Sequence, residues 1–126
     1  MVTLTLPFPP SQNRIWRLSG TRVHRSNEYN TWEVEAAAAY FAQRKDAGDP
    51  ILGHFTYHIV LDEKRRKIAR DGDNRQKAVL DFLQHAGLIK DDRFADAGSW
   101  SWGPIEPDTC FVRIYPKVDL EAKYDK

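Results

Sequence analysis

The period of the hydrophobic pattern switches repeatedly along the chain, and this alternation restricts the fold more than any other feature. "VTLTL" at 2–6 alternates apolar and polar residues at period two, the signature of a half-buried strand, and the prolines of "PFPPSQN" end it. A loop carrying Arg14, Arg17, Arg22 and Arg25 follows. From 28 to 46, Trp32, Ala36, Ala39 and Tyr40 recur at helical spacing among good helix formers, and "AGDP" stops the run. "HFTYHIVLDE" at 54–63 returns to period two. From Asn74 to Ala86, Ala78, Val79, Phe82, Leu83 and Ala86 form one helical stripe, closed by Gly87 as a C-terminal cap. "FADAGSWSW" and "TCFVRIYP" read as two further strands around "GPIEPD", and the polar tail 117–126 reads as frayed. The order β-α-β-α-β-β predicts an α+β fold: a small single domain over 1–126, with a mixed sheet packed against two main helices.

With 126 residues the chain can bury a real core, and a hydrophobic share of 41% argues against disorder throughout. No apolar run approaches the roughly 18 residues of a membrane span, and "MVTLTLPFPPSQNR" has neither a basic n-region nor a long apolar h-region, so a soluble, cytoplasmic protein is expected. Cys110 is the only cysteine, which excludes an internal disulfide and a cysteine-rich zinc site; its setting in "TCFVRIY" predicts a buried thiol.

The net charge of +1 conceals an uneven distribution. Residues 64–77 hold seven basic residues (Lys64, Arg65, Arg66, Lys67, Arg70, Arg75, Lys77) against two acids, and residues 13–25 hold four arginines and no acid. Local basicity of this kind suits a polyanion, although a charge run also serves simply as a solvated face. Inside the basic region Asp71 and Asp73 stand at i and i+2, which on an extended segment points both carboxylates to one side. They repel unless a cation lies between them. Mg²⁺ suits the position, since it takes hard oxygen ligands and uses one or two carboxylates together with substrate phosphate. Lys77 falls four residues after Asp73, on the same helical face. The same residues also admit a structural reading, with Asp73 as N-cap, Gln76 completing a loose capping box, Lys77 as an i,i+4 partner and Asp71-Gly72 as a turn. A calcium EF-hand is excluded, because its required Gly and Glu fall on Gln76 and Phe82.

Three elements, "LPFPPSQNRIWR" at 6–17, "RDGDNRQKAVLDFLQHAGLIKDD" at 70–92 and the strand-helix-strand order around them, resemble the RusA family of Holliday-junction resolvases, small dimeric endonucleases that cut four-way DNA junctions using Mg²⁺. The motif Asp-x-Asp-Asn-x-x-Lys, followed by Gly and Asp-Asp, carries the resemblance, which extends to about residue 96. It implies that Asp71, Asp73 and Asp92 bind metal, with Mn²⁺ a possible substitute for Mg²⁺, that Lys77 is an active-site lysine, and that Asn74 belongs to the same site. Gly72 stands where an apolar residue would be unsurprising and predicts a looser local backbone. The implied reaction is hydrolysis of a phosphodiester by in-line attack of water, leaving a 5′-phosphate and a 3′-hydroxyl. Arg14, Arg17, Lys64, Arg65, Arg66, Lys67 and Arg70 would contact the DNA backbone, selecting shape and charge. Paired cuts in a two-fold substrate imply a homodimer, with the Ala36–Ala39 stretch either an interface or intramolecular packing. No small-molecule cofactor and no membrane partner are expected, and the resemblance suggests a phage or prophage origin.

Chain geometry constrains the third carboxylate. A helix from Asn74 to Ala86 carries the chain about 20 Å from the Asp pair, and six extended residues to Asp92 retrace about 20 Å. Asp92 therefore reaches the site only by a straight return; otherwise a partner subunit supplies it. Asp91 should face the other way, toward basic surface or solvent. His54 and His58 sit on a strand rather than a helix, so a helical zinc pair is not expected. Trp100 and Trp102 share a strand face and are expected in the core, whereas Phe8 and Trp16 beside the Arg-rich loop are candidates for stacking on bases. A non-catalytic branched-DNA-binding module and a nuclease for flaps or forks are the alternatives to a junction resolvase.

Overall fold

The computed structural model describes residues 1–14, 16–20, 22–67 and 72–117, without the side chains of Arg14, Arg17 and Ser19. Arg70, Asp71 and the tail from 118 onward lie outside the described residues. The elements are β1 (Val2–Pro7), β2 (Trp16–Ser19), β3 (Arg22–Arg25), α1 (Asn27–Ala47), β4 (Phe55–Asp62), α2 (Gln76–His85), β5 (Ala95–Gly103) and β6 (Thr109–Pro116), with short 3₁₀ turns at Gln12–Arg14, Glu63–Arg65, Gly72–Arg75 and Asp92–Phe94. The expected α+β architecture is present. The mixed sheet has the order β1-β6-β4-β5, in which β6 is antiparallel to both β1 and β4 while β4 and β5 are parallel. A parallel pair needs a crossover, and α2 with its flanking turns provides it.

Alternation works as the sequence predicts. Val2, Leu4 and Leu6 of β1 are buried together with Ile59 and Leu61 of β4 and Cys110, Val112 and Ile114 of β6. From the helices, Tyr29, Trp32 and Ala36 of α1 and Ala78, Val79, Phe82 and Leu83 of α2 complete this core. Each large apolar side chain buried in this way contributes about 1.5–3 kcal/mol. Burial pushes the Cys110 thiol up to about 12, and its Sγ lies 3.7 Å from the Pro7 carbonyl, so it is an inert core group. No helix among the described residues is long and apolar enough to cross a membrane.

α1 begins at Ser26, whose hydroxyl accepts the Tyr29 N–H at 3.1 Å. Two local expectations are corrected. The arginine-rich segment is not a plain loop: β2 and β3 form an antiparallel hairpin pairing Trp16 with Arg25 and Leu18 with Val23, and Gly20 turns with φ 63°. Asp73 is not an N-cap either. It lies within the 3₁₀ turn, α2 starts at Gln76 without a side-chain cap, and the Gln76 side-chain amide donates to the Asp73 carbonyl at 3.3 Å instead of completing a capping box. A 3₁₀ turn satisfies its own amides by i→i+3 bonding, and this releases the Asp73 carboxylate from capping. The other end of α2 follows expectation, since Gly87 at φ 78° turns the chain back and the Leu88 N–H reaches the Leu83 carbonyl at 2.9 Å.

Candidate active site

β4 ends on an acid. Asp62 is buried, and its carboxylate accepts the Asp108 N–H at 2.8 Å and the Lys64 N–H at 3.0 Å, which holds its pKa below the ordinary carboxylate value. The buried anion therefore anchors the start of the basic run. Lys64, Arg66 and Lys67 stand exposed beyond it. Arg65 is only half-exposed: its guanidinium pairs with Asp108 at 2.9 Å and lies 4.6 Å from the Phe8 ring centre. Arg75 covers the same ring at 5.4 Å and donates to the Pro9 carbonyl at 3.0 Å, which ties the proline-rich segment to the entrance of α2. Phe8 is thus flanked by two cations and is not the open stacking surface its sequence position suggested.

Gly72 is buried rather than loose. A Cβ built there would meet the Trp100 ring at 2.3 Å, so the indole occupies the space that an apolar side chain at 72 would need. Trp100 meets Trp102 edge-to-face with ring centres 5.7 Å apart, and both pack against the core as expected. This contact sets the position of the Gly72–Arg75 turn, from which the carboxylate of the exposed Asp73 projects with no hydrogen-bond partner among the described residues; Asn74 on the same turn is half-buried.

One turn further on, the Lys77 ammonium lies 3.0 Å from Asp92 Oδ2 and 3.1 Å from Asp81 Oδ1. Asp92 therefore reaches the face of α2 within the same chain. Its return is guided by the Gly87 turn, by the bridge between Ile51 and Ile89, and by the Asp92 N–H donating to the Gln84 side chain at 3.3 Å. The hydrogen bonds to Asp92 and then Asp81 hold the Lys77 pKa above its ordinary value, so at neutral pH Lys77 is a fixed cation and not a base. Half-exposed ion pairs of this kind contribute about 0.2–1 kcal/mol, too little to make the cluster a stability device. Asp91 is engaged by the next residues: its side chain accepts the Arg93 N–H at 2.9 Å and pairs with the Arg93 guanidinium, both of which lower its pKa, and it also interacts with the Asp92 side chain rather than simply facing away from it.

Asp81, Asp62 and Trp100 support this region in ways that sequence reasoning did not assign. Only Asp81 carried a signal, the i,i+4 spacing from Lys77. Among the described residues no three His, Cys, Asp or Glu side chains form a ready-made metal cluster. His54 pairs with Asp96 at 2.8 Å, and His58 meets Ser99 and Ser101. The donors that meet Lys77 are carboxylate oxygens of Asp81 and Asp92, and Asp73 stands on the turn that precedes α2. Such hard donors fit a divalent cation that keeps part of its water shell.

The family model described as endodeoxyribonuclease RusA matches residues 7–114. The crossover junction endodeoxyribonuclease RusA of Escherichia coli strain K12 is 34% identical over 90 residues, covering 71% of this chain and 72% of that protein. The enzyme of the same name from Enterobacteria phage 82 is 35% identical over 89 residues with the same coverage, and that of Shigella sonnei strain Ss046 is 33% identical over 90. A match running from the proline-rich segment through the acidic turn and α2 into β6 covers the elements that build the site, and the chain belongs to the RusA family of endodeoxyribonucleases.

Proposed function

We propose that this protein is a Mg²⁺-dependent endodeoxyribonuclease that resolves Holliday junctions by paired symmetric nicks in DNA recombination and repair, acting as a homodimer in the cytoplasm, in a phage or prophage setting. The observation that carries this reading is the contact between Lys77 and Asp92 within one chain, at the helix that Asp73 precedes, which supports a site built from a single subunit. Asp71, Asp73 and Asp92 would hold the metal, with Mn²⁺ able to replace Mg²⁺. When bound, the metal supplies Lewis acidity toward the phosphate and lowers the pKa of water. Lys77 brings a permanent positive charge to the scissile phosphate, and Asp81 keeps that charge oriented when Asp92 turns to the metal. Lys64, Arg66 and Lys67 are exposed and free to follow the DNA backbone, joined by Arg14, Arg17, Arg70 and Asn74, whereas Arg65 must exchange Asp108 for phosphate.

Cleavage of a mobile four-way junction with and without Mg²⁺, by wild type, Asp73→Asn and Asp92→Asn, tests the reading. Wild type should nick opposite strands symmetrically, and each variant should bind the junction yet cut at least about a hundredfold more slowly. A variant that cuts like wild type removes that carboxylate from the site. The Lys77–Asp81–Asp92 cluster also favours a second reading, because it gives both acids a cationic partner without any metal. A non-catalytic junction-binding module would show tight binding and no cleavage by wild type. Linear, flapped and forked DNA of the same sequence, run alongside, separates a resolvase from a nuclease for flaps or forks.

A further inference from the structure

Between the β2–β3 hairpin and α2 lies a cleft of about 420 Å³, within the roughly 300–1,000 Å³ of small-ligand pockets. One wall is the indole of Trp16, which is 56% exposed although it is the largest side chain on the hairpin. The Arg25 guanidinium, its cross-strand neighbour, lies 6.0 Å from that ring. The rim carries the side-chain amides of Gln12 and Asn13, both exposed and neither hydrogen-bonded among the described residues. The floor is Lys77 and Asp81. The back is braced: Glu33 of α1 accepts from Arg25 at 3.2 Å and meets His85 Nδ1 at 2.6 Å, linking hairpin, α1 and α2 into one support. The cleft is therefore preformed and opens directly onto the active-site lysine.

We infer that this cleft receives one unstacked nucleobase of the strand being cut, next to the scissile phosphate; the inference rests on the proposed junction-cutting role. A flat indole with a guanidinium at its edge offers a stacking surface to any base, and base–aromatic stacking is a standard source of single-strand affinity. Uncommitted Asn and Gln amides each present a donor and an acceptor, the pair of groups that reads a base edge once that edge is free of its partner. In a continuous duplex the edges are paired and the faces stacked, so the cleft has nothing to take. At a branch point a base can leave the stack cheaply. Lys77 on the floor then meets the phosphate attached to the captured base. The cleft thus adds to the preference for branched over linear DNA and supplies a means of choosing among cut sites, which the phosphate-contacting cations cannot provide.

The test uses four-way junctions carrying 2-aminopurine at successive positions around the branch point, bound to the full chain in the absence of divalent metal. Wild type should change the fluorescence of one position next to the cut and leave the others unchanged. Trp16→Ala should abolish that change and weaken junction binding about tenfold, and Trp16→Phe should restore most of both. Asn13→Ala, on an exposed turn that tolerates truncation, should keep the fluorescence change but redistribute cutting among the positions of a mobile junction. A wild-type protein that binds the junction with no position-specific change, or a Trp16→Ala variant that reproduces the wild-type signal, overturns the base pocket. Cutting by wild type with no such signal sinks the pocket alone, whereas the signal without cutting keeps the pocket and sinks the nuclease reading.

Discussion

Lys77 is held by two carboxylates, only one of which, Asp92, is proposed to hold metal. Asp81, one turn along α2, pairs with no other basic group among the described residues, so a role for it in the proposed site would act through Lys77. Asp81→Asn should therefore slow single-turnover junction cleavage about tenfold, with junction affinity and melting temperature nearly unchanged, because an exposed i,i+4 pair stabilises a helix by only about 0.3–0.5 kcal/mol. Equal loss in Asp81→Asn and Lys77→Ala, with no further loss in the double variant, would show that the two residues act as one unit. Asp62 makes a different prediction. Its pKa is depressed from the ordinary 3.8 by the Asp108 N–H and then the Lys64 N–H, so its stabilisation is present above that value and disappears as pH falls through the lower folded value. Asp62→Asn should be less stable than wild type in urea near neutral pH, and the gap should close as pH falls through that depressed value; a gap that persists in acid would assign the loss to packing. The sequence exposed Lys77 and Asp92 because spacing and motif mark them. It could not expose Asp62 or Trp100, whose roles depend on Asp108 and Gly72, partners more than 25 residues away in the chain.

At the level of elements, the turn Gly72–Arg75 decides where the acids stand, and Trp100 of β5 decides where the turn stands. Gly72→Ala should cost about 1–3 kcal/mol, since its Cβ would lie 2.3 Å from the indole and the ring or the turn must move. Adding Trp100→Leu should recover much of that stability, measured by urea midpoint, while cleavage should recover only if the turn returns to its place. The regular elements were legible where burial imposes a period: β1, β4 and β6 at two, α1 and α2 at 3.6. The hairpin was not, because Trp16, Leu18 and Val23 all face solvent, and alternation reports burial only when one face is covered. The start of α2 was misread for a related reason. A 3₁₀ turn and a capped first turn share the same polar residues, and only hydrogen bonding separates them.

For the whole molecule, α1 is the element with an unexplained surface. Its inner side supplies Trp32 and Ala36 to the core, yet Val34 and Phe41 on the outer side are 71% and 64% exposed, with the exposed Ala37 and Ala38 between them. A helix that is apolar on both sides is ordinarily covered on both. In the proposed dimer the outer stripe is the natural contact: small residues at its centre allow close approach, and Phe41 can seat in the facing copy. The inner Ala36 has already been used for packing, so only part of the alanine run remains available to a partner. Two-fold symmetry would place one stripe against its own copy and leave both α2 faces, with Lys77 and Asp92, free to engage opposite strands. The double substitution Val34→Glu, Phe41→Glu should weaken association by about 2 kcal/mol or more, roughly thirtyfold, because like charges would meet in the centre of the contact. Sedimentation velocity should then show the monomer at concentrations where wild type is dimeric, with the melting transition of the monomer itself little changed, since both side chains are exposed. The consequence for activity is specific: nicks on the two strands of a junction should lose their coupling, so that singly nicked intermediates accumulate while the rate of the first nick falls less. If the double variant stays dimeric and Leu18→Glu on the hairpin dissociates it instead, the copies meet through β2 and β3, and the base cleft beside them would be built at the dimer interface.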